Sequence, residues 1–150
     1  MDSFNDLYNM YYKSVYRLAF RFLNDFENAS DISQDVFIHL YNCIIQKKEI
    51  RNEKAWLYKV TSNLCLAFIK KNKRINSIKT EATEVQTESD INTEILEALQ
   101  KLKEKDRMLL TLYNEGLTYK ELAEITGIKF TSISKTLSRA LKKLKDEIER

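Results

Sequence analysis

The chain has 150 residues, 43% of them hydrophobic, which allows one domain or two small ones with a buried core. A formal charge of +3 is too small to name a partner, and the absence of proline with only two glycines, Gly116 and Gly127, leaves little material for the tight turns of a β-rich fold. The fold class expected is all-α, as two helical domains joined by a flexible linker. No apolar run nears the roughly 20 residues that span a bilayer, and the N-terminus lacks the basic-then-apolar pattern of a signal peptide. A cytoplasmic protein with no membrane partner is expected.

The charge is unevenly placed. Residues 1–45 carry 3 basic and 6 acidic groups, 46–80 carry 10 and 2, 81–100 carry 0 and 6, and 101–150 carry 12 and 8. Two basic blocks flanking an acidic one suggest two nucleic-acid contacts joined by a tether.

In chain order, Phe4, Leu7, Tyr8, Tyr11, Tyr12, Val15, Leu18, Ala19, Phe22 and Leu23 recur at helical period, with Arg17 and Arg21 on the wet side. After a break near residues 24–27, a second helix is predicted from about Ala29 to Ile45, burying Ile32, Val36, Phe37, Leu40 and Ile44. Its other face carries Asp31 and Asp35 one turn apart, with Gln34 beside them. Two carboxylates at that spacing repel by a few tenths of a kcal/mol. Complementing the helix dipole would be reason enough for them on composition alone.

Residues 46–52 read as a loop. A third helix, running to about Asn72, would turn Ala55, Trp56, Val60, Leu64, Ala67 and Phe68 inward. That leaves Tyr58, Lys59, Ser62, Asn63 and Lys70 outward, followed by Lys71, Lys73 and Arg74. Such a mixture suits unpaired bases, which stack or hydrogen-bond once unstacked; a solvated basic face is the equal alternative. Residues 75–93, rich in Thr, Ser, Glu and Asn, read as a flexible linker. Beyond it, one helix carries Ile95, Leu96, Leu99 and Leu102, and another, from about Lys105, carries Met108, Leu109, Leu112 and Tyr113 up to Gly116.

From Leu117 to Ala140 the pattern is that of a helix-turn-helix. Leu122, Ala123 and Ile125 share one face, Gly127 sits where a positive φ is easiest, and Ile133, Leu137, Ala140, Leu141 and Leu144 continue on a second helix. Thr118 with Glu121 forms a capping-box pattern, and Thr131 or Ser132 is expected to cap the second helix. Between Lys129 and Lys145 the charged residues are Lys129, Lys135, Arg139, Lys142, Lys143 and Lys145, with no acid among them. One-signed charge on a second helix suits the major groove between phosphates, with Thr131, Ser132, Ser134 and Ser138 on the same segment; an ordinary hairpin with a basic face is the bland reading.

Catalysis has no motif behind it. His39 is the one histidine, and with Cys43 it stands at metal-compatible helical spacing, but two donors make a poor zinc site. A packed histidine and reduced, buried Cys43 and Cys65 are expected, with no cofactor and no metal.

The order of these pieces resembles an extracytoplasmic-function sigma factor of the sigma-70 family, over nearly the whole chain. Region 2 is matched by Asp31-Ile32-Ser33-Gln34-Asp35-Val36-Phe37 and by Trp56-Leu57 through Asn63; region 4 by Leu99 and Leu102, Arg107 to Leu112, and Gly116 to Arg139. The resemblance implies a region 2-like domain over residues 1–74, a linker over 75–93 and a region 4-like domain over 94–150. It implies that Asp31, Gln34 and Asp35 bind the β′ clamp helices of core RNA polymerase. It further implies that Lys59, Ser62, Asn63, Lys70 and Arg74, with the loop Lys47 to Lys54, take the minus-10 element. Lys129, Thr131, Ser132, Ser134, Lys135, Ser138, Arg139 and Lys142 would read the minus-35 element. The β flap would meet the C-terminal domain, the acidic linker would thread toward the RNA exit path, and an anti-sigma factor is a further partner of this family type. Lys103, Ala67 and Ser132-Ile133 stand where the family commonly has Pro, Asp and Thr-Val, departures that bear on promoter preference. The rivals are a stand-alone helix-turn-helix regulator, which would be a dimer on palindromic sites, and a helical interaction module such as a polymerase antagonist.

Overall fold

A computed structural model describes residues 3–75 and 93–150, with positions 74 and 75 described in backbone alone. The expected linker, apart from its ends, and the side chain of Arg74 therefore lie outside the described residues. Seven helices and no strand occur among the described residues: α1 (Phe4–Leu23), α2 (Phe26–Ile45), α3 (Glu53–Ile75), α4 (Thr93–Gln100), α5 (Glu104–Asn114), α6 (Tyr119–Thr126) and α7 (Phe130–Glu149). They fall into two compact units, Met1–Thr83 and Glu84–Arg150.

In the N-terminal unit α1, α2 and α3 pack on one another. Ser3 starts α1 with a capping box closed by Asp6. Asn24, at φ 53°, ends it in the left-handed region that asparagine tolerates better than most residues. Asp25 caps α2 by accepting from the Asn28 amide at 3.0 Å, so α2 begins three residues earlier than its apolar period indicates. Asn52 opens α3 in the same way, accepting from Ala55 at 3.1 Å. The core is Leu7, Val15, Leu18, Ala19 and Phe22 of α1 against Ile32, Val36, Phe37 and Leu40 of α2. Ile44 is only half-buried at the end of that strip.

The third side of this bundle departs from expectation. On α3 the buried residues are Ala55, Leu57, Tyr58, Thr61, Ser62 and Cys65, whereas Trp56, Val60, Leu64 and Phe68 are half-buried and Ala67 is exposed. At 100° per residue the observed core strip is turned by about a third of the helix circumference from the most apolar one, with Ala55 buried as expected. Hydroxyls can occupy it because a helix supplies its own acceptor: Thr61 donates to the Leu57 carbonyl at 2.6 Å. Ser33 does the same to Ala29 at 2.7 Å on α2.

In the C-terminal unit α7 packs against each of α4, α5 and α6. Ile133, Leu137 and Ala140 of α7 are buried with Leu96, Leu99, Leu109, Leu112 and Leu122, while Leu141, expected on this strip, is 43% exposed. Arg107, also buried, donates to the Gln100 side chain at 2.7 Å, linking α5 to α4. Thr118 and Glu121 form the expected capping box on α6, and Gly127 ends that helix at φ 77°. The expected cap of α7 is corrected: the helix starts at Phe130, so Thr131 and Ser132 already lie in its first turn and Lys129 stands at the cap without a side-chain bond.

Two left-handed positions yield opposite predictions. A Cβ at Gly127 would meet nothing within 4 Å, so Gly127→Ala costs backbone energy alone, about 1–2 kcal/mol. Lys47 occupies the same region at φ 56°, with the amides of Lys47 and Lys48 returning to the carbonyls of Ile44 and Cys43 as in a Schellman motif. Lys47→Gly should therefore stabilise the protein by about 1 kcal/mol. Urea denaturation of both variants checks the two signs.

Candidate protein-binding and nucleic-acid interfaces

Burial of Ile32, Val36 and Leu40 turns the opposite strip of α2 to solvent. Asp31, Gln34 and Asp35 are all exposed on it, as expected of a contact surface. The same strip continues with Ile38, Tyr41 and Ile45, exposed by 56%, 50% and 59%. Large apolar groups so exposed along one helical ridge mark a surface suited to a partner.

Beside it, Phe4, Tyr8, Phe37 and Tyr41 form an aromatic cluster between α1 and α2. Tyr8 and Phe37 meet edge-on at 5.0 Å between centroids, and Phe4 and Tyr41 do so at 5.4 Å. These residues, with Gln34 and Ile38, line a recess of about 340 Å³. Asp31, Gln34 and Asp35 are only part of this surface, whose apolar extension was not expected. Its signal was present: Ile38, Tyr41 and Ile45 follow Gln34 at spacings of four, three and four, off the buried strip.

Of the residues expected on the outward face of α3, three are exposed and two are buried. Lys59, Asn63 and Lys70 are exposed along one face, with the exposed Ala67 between them. Ser62 and Tyr58, expected beside them, are each only 2% exposed and belong to the bundle core. Neither can reach a base without unpacking α3. The half-buried Trp56 lies one turn before Lys59 and Val60 and is the aromatic residue on that side of α3, where Tyr58 was expected. Lys47, Lys48 and Arg51 of the preceding loop are exposed.

On α7 the outward residues are Thr131, Ser134, Lys135, Ser138, Arg139 and Lys142, all exposed, with Ser132 half-buried. Lys129 is exposed at the helix start, as is Phe130, which the sequence reading passed over. Lys143 is directed elsewhere, its ammonium group 3.0 Å from the Asp106 carboxylate on α5. A surface pair of this kind contributes about 0–1 kcal/mol. The expected residues of α7 thus share one basic and hydroxyl-rich side of a two-helix motif whose other side is core.

His39 is exposed rather than packed, because it falls on the outer side of α2; Cys65 is buried and Cys43 half-buried. Among the described residues no three His, Cys, Asp or Glu side chains group as metal ligands, and no helix is long and apolar enough to cross a membrane.

Comparison with known proteins places both units. Residues 7–75 match the family model described as sigma-70 region 2, and residues 92–144 match that described as sigma-70, region 4. The chain is 28% identical over 157 residues to RNA polymerase sigma factor YlaC of Bacillus subtilis, covering 96% of this chain and 91% of that protein. It is 24% identical over 167 residues to the ECF RNA polymerase sigma factor SigW of the same organism, covering 98% and 89%. A solved structure of the sigma factor RpoE in complex with the anti-sigma factor NepR, from Bartonella quintana, has the same fold. Its TM-score is 0.80 at 21% identity, with 97% of this chain and 96% of that chain covered.

The two kinds of residue on α3 respond differently to substitution. Ser62→Leu should destabilise by about 1–3 kcal/mol through overpacking. Lys59→Ala and Asn63→Ala should stay within about 0.5 kcal/mol of the parent. Thermal unfolding of the three variants measures the contrast.

Proposed function

Because the chain belongs to the sigma-70 family, in its extracytoplasmic-function branch, we propose that it binds core RNA polymerase and directs initiation at specific promoters. The observation that carries this reading is the pairing of two different outward surfaces in one chain. An acidic strip with an apolar continuation lies on α2, and a basic helix-turn-helix face lies on α7.

The N-terminal unit, residues 1–74 in functional terms, docks polymerase through Asp31, Gln34 and Asp35. The two carboxylates one turn apart repel in the free protein; a basic helix of the β′ clamp relieves that repulsion on binding. Lys59, Asn63 and Lys70, with the loop before α3 and with Arg74, hold the opened minus-10 strand through phosphates and unstacked bases. Ser62 serves this surface from behind, as packing that sets the position of Asn63. The C-terminal unit, residues 94–150, brings α7 into the major groove of the minus-35 duplex. There Lys129, Lys135, Arg139 and Lys142 meet phosphates and base edges, alongside Thr131, Ser132, Ser134 and Ser138. The β flap meets the apolar side of this unit, residues 75–93 join the two, and an anti-sigma factor would act by covering one of these surfaces. The work is binding throughout, carried out where polymerase works, in the cytoplasm; polymerase supplies the catalysis, and no cofactor enters.

Run-off transcription tests the reading directly. Core enzyme given the purified chain should initiate at promoters it otherwise ignores, whereas a stand-alone regulator or an antagonist would confer no new start site. Asp35→Lys should weaken core binding roughly tenfold or more while sparing duplex DNA contacts; unchanged core affinity would remove α2 from the polymerase interface. Lys135→Ala should weaken upstream DNA binding across sequences and lower its salt slope by about 1, read by titration at several salt concentrations.

A further inference from the structure

Phe130 is the first residue of α7 and is 60% exposed, the highest value among the exposed large apolar residues. The ring lies outside the strip of α7 that is fully buried. The strip of α7 that holds the unit together is Ile133, Leu137 and Ala140, all buried by more than nine-tenths. Any residue can start a helix, and a ring left in water forgoes the gain of burial.

Its position gives it a direction. On α7, Phe130, Ser134 and Ser138 follow one another at i, i+4 and i+8, a single ridge, and all three are exposed. Thr131 and Lys135 form the neighbouring exposed ridge. The ring thus stands at the N-terminal end of the face that enters the groove. In a helix-turn-helix, N-terminal residues of the second helix are those that reach base edges. A phenyl ring has neither donor nor acceptor, so it is blind to the hydrogen-bonding pattern there. The one apolar landmark in the major groove is the C5-methyl of thymine.

We propose that Phe130 is a specificity-determining residue that reads a thymine methyl group in the upstream promoter duplex. The inference rests on the proposed docking of α7 in that duplex and adds to it a base preference carried by apolar contact rather than by a hydrogen bond. Ser134 and Thr131, one turn on and one residue on, flank the ring with hydroxyls that suit adjacent base edges or phosphates.

Replacing thymine by deoxyuridine deletes the methyl and leaves base pairing and hydrogen-bonding edges intact. The test uses holoenzyme made from core polymerase and the full chain, on a promoter fragment selected from random-sequence DNA by that holoenzyme. Each thymine in the protected upstream segment is replaced in turn. At one position the substitution should weaken binding three- to fivefold, the worth of about one buried methyl. Phe130→Ala should weaken binding to the thymine promoter and lose this sensitivity, and Phe130→Leu should retain part of it. Since the ring is exposed, both variants should melt as the parent does. The inference is overturned if no position responds, if Phe130→Ala keeps the full response, or if Phe130→Ala lowers affinity for core enzyme without DNA, which would place the ring on polymerase. Loss of the upstream footprint with the parent holoenzyme would overturn the docking of α7 itself, a failure distinct from a footprint that persists without methyl sensitivity.

Discussion

Burial of one strip of α7, Ile133, Leu137 and Ala140, against α4, α5 and α6 determines what the C-terminal unit can offer to any partner. A helix of 20 residues has only one side to give to a small core, and the rest is left to water. Once that strip is satisfied, Ser134, Lys135, Ser138 and Lys142 have nowhere to point but outward. The left-handed turn at Gly127 then sets where the outward face begins, by ending α6 three residues before α7 starts. The outward surface of α7 is a by-product of packing, and its position is as rigid as the core behind it.

The N-terminal unit obeys the same constraint with three helices. The strip of α2 opposite its core carries both carboxylates and exposed apolar groups, an arrangement costly in isolation on both counts. Asp31 and Asp35 repel, and Ile38, Tyr41 and Ile45 sit in water. A partner that is basic at one end and apolar at the other relieves both costs together. Such a surface gains more from assembly than a purely charged one, since burying the apolar ridge adds an affinity that salt does not screen.

The outward surfaces of α7 and α3 differ in kind, and the difference lies in their side-chain chemistry. On α7, hydroxyls and long cations line a convex helix suited to a groove whose edges present fixed donors and acceptors. On α3, Lys59, Asn63 and Lys70 share a face with half-buried Trp56, a combination suited to a flexible strand through phosphate contact and stacking. The proposed division of labour between duplex and single strand thus has a basis in side-chain types and not only in family membership.

Much of this was legible in the sequence because helices announce themselves locally. The period of Leu7, Val15, Leu18 and Phe22, the Thr118–Glu121 capping box and the glycine at 127 are all decided within a turn or two of chain, and the exposed Asp31, Gln34 and Asp35 follow from the buried face of their own helix. What only the tertiary structure decided is which side of α3 faces inward. Hydropathy favours Trp56, Val60, Leu64 and Phe68, yet α1 and α2 receive Ala55, Leu57, Tyr58, Thr61, Ser62 and Cys65. Small hydroxyl side chains that return a hydrogen bond to their own helix, as Thr61 does, let a backbone come close at little cost, and that closeness is a property of the neighbouring helices. The side of α3 left to solvent was thus fixed by what packs behind it, which no local pattern of residues contains.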